Sequence, residues 1–424
     1  MLVEFTVGNF RSTAEKVTLS MIAAPIKSGS HASRLDVENV IRVDDELSLL
    51  KTAAIYGANA SGKSNILNAL TTMGSFMEGS VHTAKKGRLP FVPFLLGGAC
   101  KENASHFEII FLMDGLQYRY GFEASASRVE REWLYFNQTA RESTLFEREG
   151  EVIKIGRNFK GAKGLEPRVA TRALFLTVAR DFNVPIANNI FQWVNRFVAM
   201  SGLDDSAIMY TIECLEDESQ KTDVLNFITS LDVGISDVVV SLMPTLKEEE
   251  SEGSAVSAKS YKVETIHRTY DAQGHPNGNV KFNMSIHESE GTRKLFAMSA
   301  LIVRTLKHGH ILAIDEMDAR LHPALTRKIV ELFHSKETNP NNAQLIFATQ
   351  DTNLLDNQLF RRDQIWFAEK NRVGATTLYS LAELKIRNDA SYEKDYIEGR
   401  YGAIPFPGGF ERLFSQSEAE YASK

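Results

Sequence analysis

The sequence predicts an α/β fold made of a β-rich N-terminal lobe, a parallel-sheet core and a helical insertion. Apolar and polar residues alternate through much of the first 157 positions, as in strands that bury one face. Two short apolar runs, "TAAIY" and "ILAI", each precede a polar turn, which is typical of buried parallel strands. From about Arg168 to Ile228 the apolar spacing becomes helical, as in "RALFLTVARDF" and "IFQWVNRFVAM".

These patterns divide the chain into three predicted domains. Residues 1–157 and 261–424 would form the two halves of one unit built around the sheets, and residues 158–260 would form a mainly helical insertion or lid. Within that insertion, residues 247–260, "KEEESEGSAVSAKS", are acidic and small, which predicts an exposed and mobile loop.

Strand-like patterns occur at the start of residues 1–157 and again at the start of residues 261–424. "MLVEFTVGNF", "KVTLSMIAA" and "LLKTAAIYG" come first, and a helix is expected from about Lys63. In "HFEIIFLMDGLQYRYGFEAS", Asp114-Gly115 separates two alternating runs and predicts a tight β-hairpin. "REWLYFN" and "EVIKIGR" extend the β pattern, and "YKVETIHRTYD" and "GNVKFNMSIH" resume it after the insertion.

Composition limits the classes of protein that fit. The 424 residues are 43% hydrophobic, enough for two or three lobes, and the net charge of -6 gives no global basic field for nucleic acid, although a local basic groove stays open. Cys100 and Cys214 are too few for a disulfide framework and fit a reducing compartment. The sequence has no signal-peptide pattern and no apolar run of membrane-spanning length, so we expect a cytoplasmic protein without a membrane partner.

The stretch "GANASGKS", Gly57 to Ser64, matches the phosphate-binding pattern GxxxxGK[ST] at every fixed position, between a predicted strand and a predicted helix. Its glycines let successive backbone N–H groups converge on phosphate oxygens at a helix N-terminus. Lys63 would reach the β- and γ-phosphates, and the Ser64 hydroxyl would bind Mg²⁺. The predicted nucleotide contacts in this loop are Gly57, Asn59, Ala60, Ser61, Gly62, Lys63, Ser64 and Asn65.

Paired acids end the second buried run, in "GHILAIDEMDARLHP". An apolar strand that ends in Asp315-Glu316 suits the centre of a parallel sheet whose tip faces a ligand crevice. Asp315 would hold the Mg²⁺ shell, and Glu316 would orient and polarise the attacking water. The alternative is that these acids only cap the next helix, but a phosphate cradle in the same chain favours the metal site.

The turn Ser289-Glu290-Gly291 stands 26 residues before Asp315, at the start of the helix-like "TRKLFAMSALIVRTL". Ser289 is a good helix N-cap in any fold, so an ordinary cap is the structural alternative. The position is similar to that of the Ser-x-Gly turn of ABC-type ATPases, which points at the γ-phosphate bound to a second subunit. That similarity implies that Ser289 and Gly291 contact nucleotide across a head-to-head dimer.

Three further positions are candidates. Asp318 occupies the place of the loop that touches the partner in such dimers. Gln350 ends the buried run "AQLIFATQ", where a residue that senses the γ-phosphate, usually histidine, is expected; glutamine cannot be protonated, so slow hydrolysis is anticipated. Arg11 in "GNFRS" either reaches the nucleotide or is a surface arginine. No glutamine in "LPFVPFLLGG" fits the Q-loop position.

Together these motifs resemble the RecF/SMC/Rad50-like branch of ABC ATPases, and most closely the RloA-like AAA ATPases of bacterial phage-defence loci. The resemblance is carried by "VGNFRS", "ESEGTRK", "LAIDEMDARLHP", "TQDTNLLD", "RRDQIWF" and "YEKDYIEGRYGAIPF", and is weakest between about residues 160 and 260. It implies a P-loop NTPase of ABC-head type whose cofactors are ATP and Mg²⁺. The insertion takes the place of a coiled coil and is where we expect specificity.

The resemblance also implies a nucleotide-gated oligomeric switch, the ATPase subunit of an anti-phage system. Its expected partners are a second copy, in an ATP-dependent dimer or higher oligomer, and a separate effector such as a Toprim-type nuclease. A nuclease within this chain is disfavoured because the residues after Gln350 contain no Asp-x-Asp. The alternative is a RecF-like DNA-repair protein, which would need a basic face; the sequence offers only scattered pairs such as Lys85-Lys86 and Arg361-Arg362.

Within the insertion, Trp193 and Phe197 stand four residues apart in a run with helical spacing. We therefore expect the two rings to share one helix face, an arrangement more common in a core than in an interface.

Overall fold

A computed structural model describes residues 1–26, 32–83, 87–137, 141–231, 234–243, 260–387 and 390–405. The predicted mobile loop at 247–260 lies outside these ranges except for Ser260. Among the described residues, none of the helices combines the length and apolar character that crossing a bilayer requires.

Four sheets and a set of helices make up the described chain. Strands β1 to β18 are, in chain order, Leu2–Gly8, Val17–Ser20, Val40–Arg42, Ser48–Leu50, Thr52–Tyr56, Ser105–Met113, Leu116–Ala124, Val129–Asn137, Glu142–Glu149, Val152–Ile155, Phe197–Ser201, Ile235–Leu242, Tyr261–Tyr270, Pro276–Asn283, Ile311–Asp315, Gln344–Ala348, Ile365–Lys370 and Thr376–Ser380. Helices α1 to α10 are Ala32–Glu38, Lys63–Thr83, Phe175–Asp181, Pro185–Val194, Ile208–Glu216, Glu218–Ser230, Met284–His287, Glu290–His308, Pro323–His334 and Tyr392–Ile397.

An antiparallel sheet with strand order β10-β9-β8-β7-β6-β1-β2 contains most of the strands predicted before residue 157. The hairpin prediction is confirmed: β6 and β7 are joined by Asp114 and Gly115, whose φ angles of 52° and 75° are the left-handed pair that a two-residue turn requires. The first 60 residues also contain one helix, α1, that their strand-like pattern did not indicate.

A mostly parallel sheet with order β11-β15-β16-β5-β17-β18 forms the core. Strands β5 and β16 are buried on both faces, which explains their uninterrupted apolar character. Helix α2 follows β5 directly after the glycine-rich loop, as predicted. Helix α2 packs Ile66, Met73 and Phe76 into a core that also contains residues of the antiparallel sheet, so the helix contacts both sheets.

The helical prediction is wrong at Phe197–Ser201. Helix α4 ends at Val194, and β11 instead pairs in parallel with β15, Phe197 opposite Ile311 and Ser201 opposite Asp315. Trp193 and Phe197 therefore do not share a helix face. A run of five mostly apolar residues fits either structure by periodicity, and the pairing with β15 decides between them.

The elements that follow β11 in the chain pack against helix α8. Helices α5 and α6 pack against it, and a three-stranded antiparallel sheet, β12-β13-β14, adjoins them. A small apolar core that includes Ile212, Val224, Val263 and Phe296 joins these elements. The middle of the chain thus contains both helices and strands, and it is attached to the helix that follows Ser289.

Trp193 tests how much the contact between α4 and the antiparallel sheet stabilises the fold. Its ring is 2% exposed and stacks on Phe111 with 4.1 Å between ring centroids. We expect Trp193→Ala to lower the free energy of unfolding by about 3–5 kcal/mol, because it leaves a cavity between two layers. Urea denaturation measures this, with Tyr270→Ala as the control.

Tyr270 is 59% exposed, so its truncation is expected to change stability by no more than about 0.5 kcal/mol. If Trp193→Ala and Tyr270→Ala lower the free energy of unfolding equally, the stacking of Trp193 on Phe111 contributes no more to stability than an exposed ring does.

Candidate functional site

The parallel strands bring the predicted site residues to one edge of the core sheet. The loop Gly57–Ser64 follows β5, Asp315 and Glu316 lie at the end of β15, and Gln350 follows β16. Because β15, β16 and β5 are neighbours and run in the same direction, their carboxyl ends open onto a common crevice, where open α/β sheets bind ligands.

Two glycines of the loop have conformations and surroundings that exclude a side chain. Gly57 has φ of 152°, and a Cβ there would lie 2.3 Å from the carbonyl oxygen of Ala368. Gly62 has φ of 111°, and its Cβ would lie 2.1 Å from Oγ1 of Thr376. The loop therefore curls against strands β17 and β18, as a phosphate cradle must.

A hydrogen-bond network supports the loop from behind. Thr376 Oγ1 donates to the Ser61 carbonyl at 2.7 Å and lies 2.9 Å from Ser12 Oγ, whose hydroxyl can donate to it. Ser12 Oγ also accepts from Asn65 Nδ2 at 2.7 Å. Asn65 was predicted to contact the nucleotide; in the structure its side chain instead bonds to Ser12 and helps to hold the loop. Ser12 and Thr376 were not predicted; Ser12 stands beside Arg11 in a noted motif, whereas nothing in the sequence marks Thr376.

Lys63 lies at the centre of the cradle. Its side chain is 7% exposed, and Nζ donates to the carbonyls of Gly57 at 2.7 Å and Ala58 at 3.1 Å. Burial lowers the pKa of Lys63, while the nearby carboxylates, Asp315 foremost, act in the opposite direction. The acids that follow β15 are therefore near enough to the loop to favour the cationic form of Lys63.

The start of α2 suits an anion. The backbone N–H groups of Gly62, Lys63 and Ser64 have no hydrogen-bond acceptor among the described residues. They lie at the positive end of a helix of 21 residues, where free N–H groups and the helix dipole both attract phosphate.

The neighbouring oxygens suit a hard divalent cation. Asp315 Oδ1 is buried and has no hydrogen-bond partner within the described ranges, and the hydroxyl of half-buried Ser64 has none either. An unpaired buried carboxylate oxygen is costly unless a cation compensates it. Mg²⁺ takes one or two protein oxygens and completes its shell with phosphates and water, so Asp315 and Ser64 would suffice to hold it.

Glu316 adopts a strained backbone conformation directly after Asp315. Its φ is 51°, in the left-handed region that non-glycine residues rarely occupy. Two residues later, Asp318 Oδ1 accepts from the backbone N–H of Gln350 at 3.3 Å. We name residues 316–320 the acidic turn. It is hydrogen-bonded to Gln350, which follows β16 and is the predicted γ-phosphate sensor.

A cavity of about 730 Å³ adjoins the loop. Its lining includes residues 57–61, the exposed Gln350, Thr352, Tyr396 and Pro405. Tyr396 is fixed there by stacking on Phe367 at 5.4 Å. The tail motif that contributed to the resemblance thus forms a wall beside the cradle, a location that the sequence alone did not indicate.

Ser289 and Gly291 lie apart from the residues that line this cavity. Ser289 is exposed and caps α8, its Oγ accepting from the N–H of Thr292 at 3.1 Å. A Cβ at Gly291 would lie 2.7 Å from the carbonyl oxygen of Arg320, so this position tolerates only glycine without movement. We name residues 289–292 the serine tip.

Arg11 is also exposed, at the end of the N-terminal strand. Its φ is 50°, its N–H donates to the Val92 carbonyl at 2.7 Å, and its guanidinium lies 5.4 Å from the centre of the Phe10 ring. It adjoins Ser12, which supports the loop. Contact between Arg11 and nucleotide stays a prediction.

The glycine-rich loop between β5 and α2, with Lys63 buried in it and acids at the end of β15, defines an α/β P-loop NTPase fold, as predicted. A family model described as "AAA domain, putative AbiEii toxin, Type IV TA system" matches residues 53–356, so the chain belongs to that family. The match covers every predicted site residue except Arg11. The narrower resemblance to RloA-like proteins stays a prediction.

Two further comparisons were made. No curated protein matches the chain. Among solved structures, the SMC head domain from Thermotoga maritima is similar, with 13% sequence identity and a TM-score of 0.41, covering 91% of this chain and 99% of that one.

The cradle makes a matched pair of glycine substitutions informative. Gly62→Ala places a methyl group against Thr376, and we expect the affinity for a fluorescent ATP analogue to fall at least about tenfold because the loop is displaced. Gly74→Ala is the control, since Gly74 lies in helix α2, which follows the loop, with nothing within 4 Å of its Cβ position. That variant should bind normally and unfold at a higher temperature, gaining about 0.5–1 kcal/mol.

Proposed function

We propose that this chain binds and hydrolyses ATP between two copies of itself and thereby acts as a nucleotide-gated switch for a separate effector. The observation that supports this best is the convergence of a buried P-loop lysine, an unpaired Asp315 oxygen and Gln350 at one sheet edge. An ATPase is also what membership of an AAA-domain family favours.

In this proposal each residue at the edge has a separate task. Lys63 and the free N–H groups of the loop bind the β- and γ-phosphates. Asp315 and the Ser64 hydroxyl hold Mg²⁺, which when bound neutralises phosphate charge. Glu316 accepts a hydrogen bond from the attacking water and polarises it. The acidic turn supports this role because its backbone is strained rather than relaxed, a condition found at functional sites.

Gln350 contacts the terminal phosphate or the attacking water through its amide. Its exposed side chain lines the cavity beside the loop, and its backbone is tied to Asp318. An amide can donate and accept hydrogen bonds but cannot take up a proton. Turnover is therefore slow, which suits a switch whose nucleotide-bound state must persist.

The serine tip binds the γ-phosphate of the second copy. Three features support this: Ser289 is exposed, it begins a helix of 19 residues, and Gly291 lies against the Arg320 carbonyl in the first turn of that helix. Exposed N–H groups, a hydroxyl and a helix dipole at one point form an anion site. Because the tip is exposed, it can reach the nucleotide of a neighbouring copy.

The effector is proposed to be a Toprim-type or other nuclease in an anti-phage system. The support is the resemblance to RloA-like ATPases, together with the family's description, which names a toxin of a toxin–antitoxin system. A RecF-like repair role has less support, because Arg361 is only 7% exposed and pairs with Asp363 at 2.7 Å. That residue contributes no basic surface for DNA. Lys85 and Lys86 lie outside the described residues.

Lys63→Ala and Glu316→Gln are expected to separate binding from hydrolysis. Lys63→Ala should lose ATP binding. Glu316→Gln should bind ATP, hydrolyse it at least about 100-fold more slowly, and accumulate the associated state because bound ATP is not consumed. Equilibrium binding, phosphate release and light scattering measure the three properties.

Glu316→Gln that hydrolyses ATP at the wild-type rate would contradict the assignment of Glu316. The associated form is also the one from which an effector should copurify. A nuclease retained by Glu316→Gln and absent from Lys63→Ala supports the switch, whereas DNA without a protein partner would favour the repair role.

Ser289→Arg tests the contact between copies. A bulky cation at the tip should leave ATP binding unchanged and prevent ATP-dependent association of Glu316→Gln, since the tip can no longer approach a neighbour's phosphates. Ser230→Arg is the control, at an exposed position that ends α6. If Ser289→Arg associates as readily as Ser230→Arg, the tip is only an ordinary helix cap.

A further inference from the structure

A buried lysine connects the serine tip to the acidic turn. Lys294, in the second turn of α8, is 1% exposed. Its Nζ donates to the carbonyls of Glu316 at 3.2 Å, Met317 at 2.9 Å and Ala319 at 2.6 Å. An ammonium group has three donors, so all of them are used on one turn. None of the ion pairs among the described residues includes Lys294.

The acidic turn needs such a partner because of its shape. Both ends of the segment Glu316–Arg320 are left-handed, with φ of 51° at Glu316 and 64° at Arg320. Carbonyls of the segment consequently point toward α8 rather than into a regular ladder. Buried carbonyls that lack a ladder require another donor, and Lys294 supplies it.

Two glycines close the space around this contact. Gly202, directly after β11, donates its N–H to the Asp315 carbonyl at 2.7 Å. A Cβ at Gly202 would lie 2.1 Å from the Glu316 carbonyl oxygen and 2.6 Å from Lys294 Nζ. At the other end of the turn, a Cβ at Gly291 would lie 2.7 Å from the Arg320 carbonyl oxygen, which is also too close for a side chain. The turn therefore has almost no freedom to shift relative to the start of α8.

We propose that Lys294 is a positioning residue that joins the serine tip and the acidic turn into one rigid unit. The group that grips a neighbour's phosphate then moves together with the glutamate that acts on the chain's own nucleotide. The proposal rests on the two-copy function above and adds a route by which one copy senses its partner's ATP.

Coupling between the two nucleotide sites follows from this connection. Each nucleotide would touch Glu316 of one copy and Ser289 of the other. Docking of a tip on one phosphate then orients the glutamate at the second phosphate, so the first ATP bound makes the second site more active. Such coupling is a free energy shared between sites, and it is lost when the mechanical link is broken.

Lys294→Met tests the link, because methionine keeps the length of the side chain and removes its donors. Lys51→Met is a matched control: Lys51 is also 1% exposed, donates to the His334 carbonyl at 2.8 Å and lies at the opposite end of β5. Burial lowers the pKa of both lysines to about 8, so the two substitutions remove equally buried cations.

We expect both variants to bind ATP with wild-type affinity, and only Lys294→Met to lose coupled turnover. Its kcat should fall about 10- to 100-fold, as for loss of a residue that orients a catalytic group. Its Hill coefficient for ATP should fall from about 2 to about 1, the value for independent sites. Lys294→Arg, which keeps charge and donors, should recover part of both.

Gly202→Ala provides a second test if Lys294→Met folds poorly, since the added methyl group would press on both the Glu316 carbonyl and Lys294 Nζ. The proposed role of Lys294 is overturned if Lys294→Met and Gly202→Ala have the same kcat and Hill coefficient as Lys51→Met while Glu316→Gln still dimerises with ATP. A Glu316→Gln protein that stays monomeric with ATP would instead overturn the two-copy function itself, so the two failures are distinguishable.

Discussion

Parallel pairing of β15, β16 and β5 is the constraint on which the candidate site depends. Leu345 of β16 lies opposite Thr52 on one side and Leu312 on the other, so the three strands are in register across the core. The glycine-rich loop, the acids and Gln350 consequently leave the sheet at the same edge. Since these strands are buried along their length, packing the apolar runs also places the polar groups.

Charges at this edge depend on one another. Burial disfavours the cationic form of Lys63, and the carboxylates after β15 offset that effect. Those carboxylates lie at the same edge of the core sheet as the N–H groups at the start of α2. A lysine, free N–H groups and carboxylates at one edge of the sheet together suit a ligand that carries phosphates and a divalent cation.

The features that could be predicted from the sequence are those set by nearby residues. The loop of Gly57 to Ser64, the Asp114-Gly115 hairpin and the Ser289 cap all follow from local spacing. Strand β11 could not be predicted because its partner β15 lies more than a hundred residues away, and a short apolar run reads as helix or strand alike. The contact of Thr376 with Ser12 joins positions 364 residues apart, which no local pattern contains.

The left-handed backbone of Glu316 has a consequence for how this chain can vary. Such a conformation costs on the order of 1–3 kcal/mol for a residue with a side chain, and glycine adopts it freely. Selection for thermal stability alone would thus favour glycine at position 316 and discard the carboxylate. On the proposed catalytic role of Glu316, the chain carries a small, standing thermodynamic penalty in exchange for chemistry, and the most stable sequence for this fold would not be the most active one.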